Sequence, residues 1–205
     1  RDFVQDKRLV MATTVGNGSL ESHSVKHTRT EDLDGPGNRI WAASIAWSGT
    51  TVVEAGIHQL DMMRYWAGDV AWVRADYVHR HADDIEDGGD NPDAYSVTYG
   101  FECGLVYNML LSRLRKTFYG DGYSDLMWDR GHVKIEADGP VAYYYEGPYP
   151  PEKNPSQDEL RHVIPVPDPG RDGTLHINEC FVKAVATGDD SHLRKVCRMC
   201  DRRKG

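Results

Sequence analysis

Four side chains in the stretch "VVEAGIHQLDMMRYWAGD" (residues 52–69) have the types and the spacing to do chemistry: Glu54, His58, Asp61 and Tyr65. At about 100° per helical residue they fall within roughly 60° of one another, an acid–imidazole–acid–phenol ridge. A carboxylate one turn from an imidazole favours the protonated ring and orients its tautomer, which suits proton transfer to or from a hydroxyl near neutral pH. His and carboxylates one turn apart are also plausible metal ligands, although no further ligand stands nearby in the sequence and no metal set is assigned. Structural roles compete with both readings. Glu54 could be the acid of a capping box opened by Thr51, His58 a core histidine bonded to a carbonyl, and Asp61 and Tyr65 polar groups on a half-exposed face.

Positioning such a ridge requires a helix with an apolar back. Val53, Ile57 and Leu60 point about 100° from the ridge and Met63 extends that side, so one amphipathic helix is predicted over 51–67, ended at Gly68. Before it, residues 1–45 are polar and Gly-rich and read as connecting loops with nothing longer than a short strand. They lead into "RIWAASIAW", which has strand composition. After it, "AWVRADYVHR" reads as a strand and the acidic "HADDIEDGGDNPD" as an exposed loop. Tyr95, Val97, Tyr99 and Phe101 then alternate with Ser96 and Thr98, and "ECG" turns the chain into "LVYNMLLSRL", an antiparallel hairpin with an aromatic face. A second hairpin is predicted from "GHVKIEADG" and "PVAYYYEG". The Pro-rich run 147–170 reads as a long surface loop, and "TLHINECFVKAVATGDD" as a helix packed through Ile177, Phe181 and Val185 and closed by Gly188. One helix, several antiparallel strands and a final helix predict an α+β fold: an open, mostly antiparallel sheet with helices on one face. The domain is placed at 46–205. Tyr119 and Tyr123 fall in "FYGDGYSD", read as a loop from which either ring could touch a substrate.

Composition narrows the function classes. The 205 residues carry a formal charge of −8, with 40% hydrophobic and 27% charged residues, an ordinary globular balance. That charge excludes nucleic acid as the expected partner, since phosphate binding needs a basic face and "DRRKG" is too short to supply one. No apolar run approaches the ~20 residues of a membrane span, so no membrane partner is expected. The chain starts "RDFVQDKRLV" without Met, as a fragment would. Four cysteines, Cys103, Cys180, Cys197 and Cys200, are too sparse for a disulfide scaffold, which favours a reducing, cytoplasmic setting. Cys197 and Cys200 form a C-x-x-C, but zinc there would need distant ligands, and the pair is read as part of a basic C-terminal helix.

Taken together, "VVEAGIHQLDMMRYWAGDVAWVRA" resembles the helix-and-strand signature of the C-terminal domain in the Gfo/Idh/MocA oxidoreductases, the glucose–fructose oxidoreductase and inositol dehydrogenase relatives. Their acid, His and Asp spacing and their Trp-Leu-Gly-like helix end map onto Glu54, His58, Asp61 and "YWAGD". "YSVTYGFECGLVYNMLLS" is similar to the family's strand pair built around "F-x-x-G", and "HINECFVKAVATGDD" resembles its late helix; the likeness spans roughly residues 46 to 190. The resemblance implies an oxidoreductase using NAD or NADP on a sugar, cyclitol or related polyol. It further implies His58, with Glu54, in proton transfer, Asp61 toward the substrate, and a homo-oligomer formed through the sheet face; Tyr119 and Tyr123 are candidate substrate contacts from their loop position alone. The family's G-x-G-x-x-G and its Glu-Lys-Pro motif, with the catalytic Lys, have no counterpart here; "VGNGSL" has neither their spacing nor their context. The cofactor is therefore expected on a domain upstream of Arg1, and Glu54 stands where inositol dehydrogenases have Asp. Two other classes remain open: a non-catalytic binding or dimerisation module, and a metal-dependent sugar-phosphate isomerase or hydrolase using the same ridge.

Overall fold

The computed structural model describes residues 3–4, 6–19, 45–79, 81, 90–114, 121–166, 173–189 and 191. In chain order these form β1 (Leu9–Ser19), α1 (Ile45–Ser48), α2 (Thr51–Glu54), α3 (Gly56–Ala67), β2 (Val70–Val78), β3 (Ala94–Phe101) and β4 (Val106–Leu114). There follow β5 (Asp121–Trp128), β6 (Gly131–Glu136), β7 (Gly139–Tyr144), α4 (Gln157–Leu160), β8 (Arg161–Val163) and α5 (Gly173–Thr187). The described strands make one eight-stranded sheet in the order β2-β3-β4-β1-β5-β6-β7-β8. All neighbours are antiparallel except β1 and β4, so the sheet is open and mostly antiparallel, as the alternation predicts.

The ladder registers explain why one face is the core. Side chains opposite one another across a ladder share a face. A single row therefore runs Tyr99, Tyr107, Ala12, Leu126, Val133, Ala142 across β3, β4, β1, β5, β6 and β7. Every member of that row is buried. Neighbouring rows on the same face add Val97, Met109, Leu111 and Trp128, and the Tyr99 and Tyr107 rings stack at 5.7 Å and 18°. Each such side chain removed from water contributes about 1.5–3 kcal/mol before entropy is counted. The tight β3–β4 turn depends on Gly104, whose φ of 88° is disfavoured for any residue with a Cβ.

Several elements differ from the sequence reading. Residues 9–19, assigned to connecting loops, form the longest of the described strands, β1, lying between β4 and β5. Its glycines and threonines obscure the pattern, and a parallel partner reached only after three helices and two strands leaves no hairpin signal. The end of "RIWAASIAW", from Ile45, belongs to the helical turn Ile45–Ser48 rather than to a strand, and 39–44 lie outside the described residues. The helix predicted as one piece is two, α2 and α3, interrupted at Ala55. Tyr123 sits within β5 opposite Val15, not in a loop, while Tyr119 lies outside the described residues, as do Cys197 and Cys200. The Pro-rich run contains α4, opened by a Ser156–Glu159 capping box, and β8, which extends the sheet beyond β7. Helix α5 is present and ends at Gly188 (φ 68°), yet Phe181 and Val185 are 58% and 70% exposed, so the packing predicted through them does not occur; the side chain of Ile177 lies outside the described set.

Candidate functional site

The N-cap of helix α2 is Thr50, not Thr51. The Thr50 hydroxyl accepts a hydrogen bond from the Val53 N–H, satisfying one of the free donors of the first turn, while Thr51 is buried as the first helical residue. Glu54 is thereby released from the capping role. Its carboxylate meets the Arg113 guanidinium of β4 at 2.5 Å, with both side chains largely shielded from solvent. The sequence carries a signal for Arg113: it follows Tyr107, Met109 and Leu111 at period two, which puts a cation on the apolar row facing the helices.

Helix α3 is anchored on one side. Gly56 is buried so closely against β4 that a Cβ there would lie 2.9 Å from Leu111 Cδ1 and 3.0 Å from Met109 Cε. Met63, 1% exposed, and Ala67 continue the buried stripe at helical spacing. Gly68, at φ 86°, closes the helix with its N–H donating to the Arg64 carbonyl at 2.8 Å. The other side carries His58 and Asp61, both exposed, with Tyr65 half-buried one turn on. The structure therefore keeps His58, Asp61 and Tyr65 on one continuous helix but places Glu54 on α2, paired with Arg113. Among the described residues His58 forms no ion pair with Glu54 or Asp61.

Tyr123 is not brought to His58. On β5, Ser124, Leu126 and Trp128 face the helix side, with Ser124 Oγ 2.9 Å from Thr14 Oγ1, so Tyr123 points to the opposite, open face of the sheet. There Lys134 Nζ lies 4.7 Å from the Tyr123 ring centre. The same face holds a pair that sequence reasoning missed, because β5 was read as loop. His132 Nδ1 lies 2.9 and 3.0 Å from the two oxygens of the buried Asp125, with the imidazole stacked on Tyr143 at 5.1 Å. No group of three or more His, Cys, Asp or Glu side chains is gathered as a metal-ligand set among the described residues. None of their helices is long and apolar enough to cross a membrane.

Residues 7–134 match the GFO/IDH/MocA C-terminal domain family. This is more than half of the chain, which belongs to the GFO/IDH/MocA family by its C-terminal domain. The fold is shared with the UDP-N-acetylglucosamine 3-dehydrogenase GnnA from Acidithiobacillus ferrooxidans (TM-score 0.59, 14% identity, covering 92% of this chain and 50% of that one). It is shared too with an oxidoreductase from Agrobacterium radiobacter solved with NAD+, L-tartaric acid and magnesium (TM-score 0.55, 11% identity, 92% and 50% coverage). A levoglucosan dehydrogenase in complex with NADH and levoglucosan is similar over 72% of this chain and 39% of its own (TM-score 0.52, 12% identity). The chain thus spans about half the length of these solved relatives or less. No curated protein matches it in sequence.

Among the described residues no strand runs through a Gly-rich turn into a helix. Pyrophosphate is held by a Gly-rich turn between a strand and a helix N-terminus. Here the α2 N-terminus is capped by Thr50, and Gly56 at the start of α3 packs closely against Leu111 and Met109.

Proposed function

We propose that this chain is the substrate-side domain of an NAD(P)-dependent oxidoreductase acting on a sugar, cyclitol or related polyol, with the dinucleotide held by residues outside those described. One observation carries the reading: α3 buries Gly56, Met63 and Ala67 and turns His58 and Asp61 away from the core. A histidine required for packing would sit on the other side of that helix. The nicotinamide, when bound, takes up or gives the hydride; the residues of this chain handle the proton and the alignment. His58 exchanges the proton of the substrate hydroxyl. Asp61, three residues on and on the same exposed side, accepts a hydrogen bond from a neighbouring hydroxyl and fixes which carbon faces the cofactor. Glu54 acts through Arg113: the pair clamps the end of α2 to β4 and so sets where α3 begins. Support for a metal-dependent reading would need a gathered ligand set, and the described residues hold none. The open sheet face, with Met11 and Leu110 each about two-fifths exposed, is the surface we assign to contact between copies.

The test is turnover with NAD(P) on a panel of polyols, using the protein together with its cofactor-binding part. His58→Asn is expected to lower turnover by about 10²–10⁴. Unchanged turnover per folded molecule would remove His58 from the mechanism.

A further inference from the structure

The outer edge of β2 carries a second, independent interaction surface. β2 ends the sheet order and is bonded to β3 alone among the described strands, so its other edge presents unpaired backbone donors and acceptors. Every residue from Ala71 to Val78 is exposed, including Trp72 at 51%, Val73 at 60%, Tyr77 at 54% and Val78 at 61%. A long, apolar, uncovered edge is the arrangement soluble proteins normally avoid, unless another strand is meant to join it.

We infer that the occupant is the β2 strand of a second copy, added antiparallel about a two-fold axis through Ala75. The pairing pattern makes the commitment. A two-fold normal to the sheet keeps each face on its own side, so only registers centred on a residue are possible. The ladder of β2 shifts between Val70 and Trp72, which leaves 72–78 as its regular part, and Ala75 is the midpoint of that stretch. Centred there, Trp72 opposes Val78 of the second copy, Val73 opposes Tyr77, and Arg74 opposes Asp76, each contact occurring twice. Aromatic with β-branched and opposite charge with opposite charge are the pairs that stabilise antiparallel ladders. Neighbouring registers lose this: a centre at Arg74 sets Arg74 against Arg74, and a centre at Asp76 sets Asp76 against Asp76. In the single chain Arg74 Nε lies 3.4 Å from Asp76 Oδ2, both side chains more than two-thirds exposed, so the two charges are free to exchange partners across the axis. The result is one continuous sheet through two chains, with the helices of both on the same side. This edge contact is distinct from the face contact proposed above.

Charge reversal tests the register. The 205-residue chain is studied by sedimentation velocity over a concentration series as wild type, Arg74→Asp, Asp76→Arg, the double variant, and an equimolar mixture of the two single variants. Each single variant places like charges opposite one another twice and is expected to raise the concentration for half-association about tenfold. The double variant and the mixture restore opposite pairing and are expected to return to the wild-type value. Melting temperatures of all variants should agree, because both side chains are exposed. Association of the single variants at the wild-type concentration would assign it to the sheet face or another surface and overturn the proposal. A wild-type chain that stays monomeric at hundreds of micromolar would overturn it as well, as would weakening without recovery in the mixture.

Discussion

Helices α3 and α5 begin from the same kind of sequence and end in different states. Both carry apolar residues at helical spacing, and both end at a glycine with positive φ. Yet α3 seats Gly56, Met63 and Ala67 on the sheet, although Val53 and Ile57 of the predicted apolar back are 60% and 49% exposed, whereas α5 leaves Phe181, Val182 and Val185 more than half exposed. Periodicity announces a helix and an apolar side, but it does not name what covers that side. For α3 the cover is β4, and a helix fixed by one side presents the other, with His58, at a defined place.

The sharpest break between the two helices should come from truncating their apolar stripes. Met63→Ala opens a cavity under α3 and is expected to cost about 2–5 kcal/mol, read by urea unfolding. Gly56→Val, which forces a side chain into Leu111 and Met109, should cost about 1–3 kcal/mol. If either is neutral, α3 is not anchored as described.

A titration sharpens the same contrast from the core side. Burial pushes the Tyr107 phenol up to about 12 from the ordinary 10, with the Thr14 hydroxyl opposing the rise. Because the folded value is raised, this stabilisation is complete below pH 10 and is lost as pH climbs toward 12. The slope is about 1.4 kcal/mol per pH unit over that window. Tyr107→Phe should flatten alkaline unfolding there, and an unchanged profile would argue that the ring is not buried in solution. The smallest effect belongs to α5. Phe181→Ser should change the stability of this chain by less than about 0.5 kcal/mol, and a loss as large as that of Met63→Ala would mean that α5 docks on the sheet after all.

The sequence made the aromatic hairpin, the β6–β7 hairpin and strand β2 legible because period-two alternation and nearby turns are local signals. Strand β1 escaped because its long-range parallel partner leaves no local mark and its interior glycines mimic a loop. β5 escaped for a related reason: Gly122 and the polar Ser124 and Asp125 interrupt the pattern, although Asp125 is satisfied by His132 and Ser124 by Thr14. In the candidate site, the shared exposed side of His58 and Asp61 was readable from spacing on one helix. The place of Glu54 was not, because the interruption at Ala55 and the reach of Arg113 are tertiary facts. Spacing arguments hold within an unbroken helix and fail across a break.

The central claim is that α3 is anchored by one side so that His58 can act on the other. It is tested most directly by measuring melting temperature and turnover on the same preparation of His58→Asn, in the protein that includes its cofactor-binding part. The account predicts a melting temperature within about a degree of wild type and turnover reduced about 10²–10⁴-fold. A lowered melting temperature with full turnover per folded molecule would contradict it and return His58 to the core.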